Sequence, residues 1–450
     1  MSGERTGWDP GERHRLIRPL VDFLHTEAAG GVALVVATIV ALVWANSPWD
    51  ASYNDLWSTD LAVTLGSWEL DLDLREWVND GLMVLFFFVV GLEIKRELVE
   101  GELRDRRRAM LPVCAALGGM LAPALIYVAF NAGGPGSKGW GIPMATDIAM
   151  AVGVMSLMGS RVSPSLKLFV LALAIVDDIG AIVVIAVFYT DDIEGWALLA
   201  ACGLVLAVAV MRRAGVRSTA AYAVAGVVLW LALHESGIHA TLAGVVLGLM
   251  TPTQPIRRPD LIDAAELADV SSYQAARQTA TAAREAVSVV EWLEHLLHPW
   301  TSFVVVPLFA LANAGIPLSG TAIADALTSS VAGGIVVGLV VGKVVGITGA
   351  TWLANRLRIV RLPGDTTWSG IVGVSALAGI GFTVSIFVTG LAFGGDPLED
   401  QAKVAILAAS LLASALGSTV IVAGARRGSL GPHRRSAGPR GVRVRGLSRR

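Results

Sequence analysis

Apolar residues in this chain fall into twelve long runs, and no other feature limits its fold as strongly. The runs cover roughly 28–46, 79–96, 109–131, 139–159, 165–189, 195–211, 217–233, 237–251, 299–317, 331–354, 367–393 and 402–424. Most are about 18 to 25 residues long, the length an α-helix needs to cross a bilayer. A water-soluble fold could not cover them. Of 450 residues, 54% are hydrophobic and 16% charged, whereas a soluble protein carries about a quarter charged residues. Cys114 and Cys202 both lie inside apolar runs, which excludes a disulfide framework and a cysteine-based metal site. The predicted class is an all-α membrane protein with twelve transmembrane helices over residues 28–424. Residues 1–27 are expected to form a cytoplasmic N-terminus with an amphipathic surface helix over 14–26. Residues 425–450, with nine arginines and no acid, read as a basic, disordered cytoplasmic tail.

Basic residues set the orientation, because they collect on the cytoplasmic side. The N-terminal stretch, the even-numbered loops and the tail hold 31 of the 35 Lys and Arg residues. The odd-numbered loops hold only Arg75, Lys138 and Lys403 and are otherwise acidic. Both termini are therefore expected in the cytoplasm, in a multi-pass protein with an even number of crossings. One basic residue is left over. Lys343 lies in the middle of the tenth run.

Three carboxylates share that depth: Asp147 in the fourth run, and the adjacent Asp177 and Asp178 in the fifth. An ionisable group near the bilayer centre costs roughly 2.5–3.5 kcal/mol on insertion scales and usually marks a pathway or proton relay. Neighbouring residues on a helix point about 100° apart, so Asp177 and Asp178 cannot face one partner. One can meet a cation in a cavity while the other meets Lys343. The fourth run is broken at Pro143, followed by Ala145-Thr146-Asp147, and the eleventh at Gly379-Ile380-Gly381-Phe382-Thr383. Runs 3–5 and 10–12 are thus triplets with a broken middle member, starting from opposite faces, as in inverted-repeat transporters with a midplane site. Helix ends meeting there leave partial charges of both signs. Asp147 suits the positive ends and Lys343 the negative ones. A carboxylate binds a proton or a hard cation, but not both well. Exchange of protons for a monovalent cation follows, and protonation at low pH should silence it.

These same residues carry a family resemblance. Gly141 to Ala149, Ala174 to Ala181, Gly342-Lys343 and Gly379 to Thr383 resemble the NhaA family of bacterial sodium–proton antiporters. So do Asn79 to Met83 with Gly91 to Glu97, Ser236 to Gly244, and Glu294 to Trp300. The match runs in order over about residues 15–424. Inverted repeats are known in that family, so the matched breaks and the resemblance form one argument.

The resemblance implies a core domain and an interface domain, with discontinuous helices four and eleven crossing at the midplane. It implies Asp177 and Asp178 as ion-binding and proton-carrying carboxylates, supported by Thr146, Asp147 and Lys343. It places Asp80 on the periplasmic route. Glu93, Glu97, Glu294, His295 and His298 match a pH-sensing cluster at the cytoplasmic mouth, about half a membrane from Asp178. His239 matches a histidine linked to pH response. The implied activity is electrogenic, pH-regulated exchange of cytoplasmic Na⁺ or Li⁺ for external protons, serving Na⁺ and pH homeostasis. No enzymatic chemistry, cofactor or nucleic-acid partner is called for. The loop 252–293 and the basic tail are longer than the family pattern. The alternating stretch Trp68 to Leu74 suits a strand, and the family uses a hairpin there to form homodimers.

Two other functions compete. A sodium-coupled symporter for an organic anion would need an intramembrane base beyond Lys343. An intramembrane aspartyl protease needs two aspartates facing one water, and here only Asp147 could join the adjacent pair.

Overall fold

The computed structural model describes residues 29–66, 68–190, 193–216, 218–254, 287–360, 362 and 366–429. The expected surface helix, residues 255–286 of the long loop and 430–450 of the tail lie outside them. Among the described residues, six helices are long and apolar enough to cross a membrane, and up to nine if each bent pair is one crossing. The protein is a multi-pass helical membrane protein.

Helix α1 (Ala29–Ala45) turns through 116° into α2 (Asp50–Trp57). The acidic loop then forms an antiparallel hairpin, β1 (Asp60–Leu65) with β2 (Trp68–Asp73), turning at Gly66 with φ of 66°. Alternation aims Leu70 and Leu72 of β2 at one face, where they pack on Leu229, Trp230 and Leu233. The strand expected over 68–74 is present. Asp73 and Glu76 then close a capping box that starts α3 (Leu74–Glu76). A π-helical turn, Trp77–Leu82, carries the chain into α4 (Met83–Val99). Asn79 and Asn313 exchange amide hydrogen bonds of 3.3 and 2.7 Å that tie this turn to a later helix.

Helix α5 (Arg106–Asn131) leads to a 3₁₀ segment, Pro135–Met144, and then α6 (Ile148–Leu157). Glycines let the 3₁₀ segment lie against aromatic rings. A Cβ on Gly139 would meet Phe393, and one on Gly141 would meet Tyr189. Helix α7 (Pro164–Phe188) begins with proline in its first turn and a Ser163 cap, the usual start signal. Helices α8 (Gly195–Arg213) and α9 (Thr219–Glu235) follow. With nine residues, α10 (Leu242–Met250) is too short to cross alone.

Helix α11 (Val289–Trp300) passes through a second π turn, Thr301–Val305, into α12 (Val306–Asn313). The short α13 (Gly320–Thr328) is not among the twelve runs. A third π turn, Gly338–Gly342, joins α14 (Ser330–Val337) to α15 (Lys343–Arg356). Helix α16 (Trp368–Leu377), α17 (Phe382–Phe393) and α18 (Pro397–Ser429) complete the chain.

Without a hydrophobic drive between helices in lipid, small residues decide where backbones touch. Gly118 of α5 and Gly346 of α15 are so close that a Cβ on either would strike the other's carbonyl. Gly91 of α4 likewise meets Val245 and Gly248 of α10. The first contact sets the base of Lys343 against α5. The second seats α4, and with it Glu93.

Candidate functional site

The site is built where two helix breaks meet. The 3₁₀ segment stops at Met144, and Ala145 to Asp147 run extended before α6; α16 stops at Leu377 before α17. Each pair is bent by 45°. The two breaks bond to each other. The Asp147 backbone N–H donates to Ile380 at 2.6 Å, and the Thr146 hydroxyl donates to the Ala378 carbonyl at 2.9 Å. Pro143 has no N–H to give, and the break after it exposes backbone groups that these crosslinks satisfy.

Asp147 serves both helix starts. Its Oδ1 accepts from Met150 N–H at 3.0 Å, capping α6. Its Oδ2 accepts from Thr383 N–H at 3.0 Å and from the Thr383 hydroxyl at 2.6 Å, in the first turn of α17. One carboxylate thus offsets the positive ends of two helices. Thr383 was not singled out among the site residues; its signal was the Gly-Ile-Gly-Phe-Thr break itself. With both Asp147 oxygens committed, the second aspartate that a protease would need is taken.

Lys343 serves the opposite ends. It is fully buried. Its three hydrogens go to the Met144 carbonyl at the end of the 3₁₀ segment, to Thr146 Oγ1 at 3.0 Å and to Asp177 Oδ2 at 2.8 Å. Through Thr146 it also reaches the Ala378 carbonyl at the end of α16. The other oxygen of Asp177, Oδ1, is buried with no partner among the described residues.

Asp177 and Asp178 diverge on α7, as their 100° spacing requires. Asp177 meets Lys343. Asp178 lines a cavity of about 70 Å³, together with Thr146, Asp147, Thr383, Glu93 and His298. That is room for a few water-sized occupants.

The cluster expected to sense pH is only partly assembled. Glu93 and His298 stand on the wall of the cavity that Asp178 also lines. Glu294 is buried and accepts from Arg96 at 2.5 Å, an ion pair between α11 and α4. Arg96 as its partner was not foreseen. Glu97 is half-buried and lies beside Gly101; His295 is exposed.

His239 is elsewhere. It precedes α10, at the end opposite Met250, whose carbonyl accepts from Arg212. Asp80 lies on the first π turn, and its carbonyl accepts from the Trp230 indole at 2.8 Å.

Comparison with known proteins adds an independent line. The model of the family described as Na⁺/H⁺ antiporter 1 matches residues 21–421. A protein named Na⁺/H⁺ antiporter NhaA from Rhodopirellula baltica is 47% identical over 420 residues, covering 91% of this chain and 94% of its own. Na⁺/H⁺ antiporter NhaA 3 of Frankia alni is 46% identical over 420 residues, covering 92% and 90%. Na⁺/H⁺ antiporter NhaA 2 of Sorangium cellulosum is 47% identical over 432 residues, covering 92% of each.

Proposed function

The chain belongs to the Na⁺/H⁺ antiporter 1 family, and from that membership we propose that it exchanges cytoplasmic Na⁺, or Li⁺, for external protons. The observation that carries this reading is the placement of Asp178 in a cavity beside the buried Lys343–Asp177 pair. Asp178 binds the cation or a proton. Asp177 holds a second proton or pairs with Lys343, which makes two protons per cation and electrogenic exchange. Thr146 and Asp147 hold the crossing in shape. An empty, doubly ionised pair would be costly to carry across lipid, so the site reorients loaded with protons or with cation.

The rest of the reading concerns the whole molecule. Residues 28–424 form a twelve-helix antiporter domain of two inverted repeats in the bacterial inner membrane. Both termini are cytoplasmic, with residues 1–27 and the basic tail 425–450 at that face. The hairpin β1–β2 joins two copies into a homodimer, a role supported by outer edges that pair with no other strand among the described residues. Glu93, Glu97, Glu294, His295 and His298 set the pH response, with His239 and Asp80 on the outer side.

Dequenching of a ΔpH probe in everted vesicles, with Na⁺, Li⁺ or K⁺ added across a pH series, tests the reading. Proton movement is expected with Na⁺ and Li⁺ and lost at low pH. No response to either ion at any pH would overturn it.

A further inference from the structure

Helix α11 does not continue smoothly past His298. The turn Thr301–Val305 is π-helical, closed by the Val306 N–H donating to the Thr301 carbonyl. A π turn inserts one residue into a helix and is frequent at functional sites. This one begins at the cavity wall. Thr301 is 5% exposed and lines the cavity with Asp178.

A hydroxyl has one proton and two lone pairs. The Thr301 proton is donated to the His298 carbonyl at 2.9 Å, and the Thr383 proton to Asp147 at 2.6 Å. With those protons tied down, both oxygens have only lone pairs to offer a further partner. Thr146 differs, because one of its lone pairs already accepts from Lys343. Two acceptor-only hydroxyls facing a cavity with a carboxylate make an oxygen set, which is what a hard cation prefers. Neutral packing does not need that set. The His298 carbonyl also accepts from the Thr301 backbone N–H, so it stays satisfied without the hydroxyl.

We propose that Thr301 supplies an oxygen ligand to the cation held by Asp178, and so sets the affinity for the transported monovalent cation. The proposal rests on the reading of Asp178 as the cation site. Its ligand comes from the α11–α12 side, whereas Asp178 and Thr383 belong to the crossing bundle. A cation is then fully ligated only while the two face each other.

The test compares wild type, Thr301→Val, Thr301→Ser and Asp178→Asn for Na⁺- and Li⁺-driven exchange in everted vesicles, at one pH. Valine keeps the shape and removes the oxygen; serine keeps the oxygen. Thr301→Val is expected to raise the apparent KM for Na⁺ about tenfold, the value of one charge-assisted contact, at an unchanged maximal rate. Thr301→Ser should stay within about twofold of wild type. Thr301→Ala gives the same readout if the valine variant does not reach the membrane. A wild-type KM in Thr301→Val and Thr301→Ala overturns the proposal and leaves Asp178 as the site. An equal rise in the serine variant also overturns it, since the methyl group would then be what matters. Exchange retained in Asp178→Asn overturns the cation-site reading instead.

Discussion

Two ion pairs, one where the two bent helix pairs meet and one between α4 and α11, are built on different terms. Lys343 and Asp177 are 0% and 2% exposed, 2.8 Å apart. The remaining hydrogens of the amine go to Met144 and Thr146, so protein groups replace all of its water. Arg96 and Glu294 are 33% and 6% exposed. The guanidinium keeps its contact with solvent. Removing a charge from water costs several kcal/mol after relaxation, and only the first pair bears that cost on both sides. The charges at the crossing are therefore held by geometry and hard to change singly. In the pair on α4 and α11 only the guanidinium can turn to water, while Glu294 stays buried.

The comparison breaks first on activity. Asp178→Asn and Asp177→Asn should each abolish Na⁺-driven proton movement while the folded protein stays in the membrane. Asparagine neither carries a proton in this pH range nor neutralises a bound cation. Wild-type exchange in either variant, read by dequenching in vesicles, would end the site assignment.

Stability gives the next largest effect. Lys343→Ala leaves Asp177 buried and unpaired, at a cost of roughly 3–5 kcal/mol. Lys343→Arg keeps the charge and should melt closer to wild type. Combining Lys343→Met with Asp177→Asn removes both charges and should recover most of the loss. Thermal melting of purified variants decides it, and equal melting of the alanine and arginine variants would contradict the pairing.

Asp147→Ala removes caps from two helices at once. With about 1 kcal/mol for each cap, a loss of about 2 kcal/mol is expected, below that of Lys343→Ala. A melting point unchanged from wild type would show that solvent caps these helices equally well.

The smallest effect belongs to the second pair. Glu294→Gln should cost under about 1 kcal/mol, as partly solvated pairs do. It should also move the midpoint of pH activation with the plateau rate kept. Arg96 already neutralises much of the Glu294 carboxylate, so the shift is modest. Exchange from pH 6 to 9 measures it, and a lost plateau would place Glu294 on the ion path instead.

Much of what gathers around Lys343 was legible in the sequence. Pro143 and the Gly-Ile-Gly run announce broken helices because they remove backbone donors and side-chain support. Asp147, Asp177, Asp178 and Lys343 stand out because charge is expensive in an apolar run. Thr301 and Thr383 carry no such mark: a threonine in an apolar helix is cheap, and nothing in its spacing says which neighbour it will face. Arg96 read as one of six basic residues about loop two, and only the packing of α4 on α11 singles it out for Glu294.

Hydrophobic length, charge asymmetry and the two breaks were settled along the chain, since each depends on local composition and on depth along a helix axis. That Glu93 and Asp178 line one cavity was not. Side chains are brought together by the pairing of helices, as where Gly91 meets α10 and Gly118 meets Gly346. A glycine signals close approach without naming its partner, and the partner is a property of the assembled bundle.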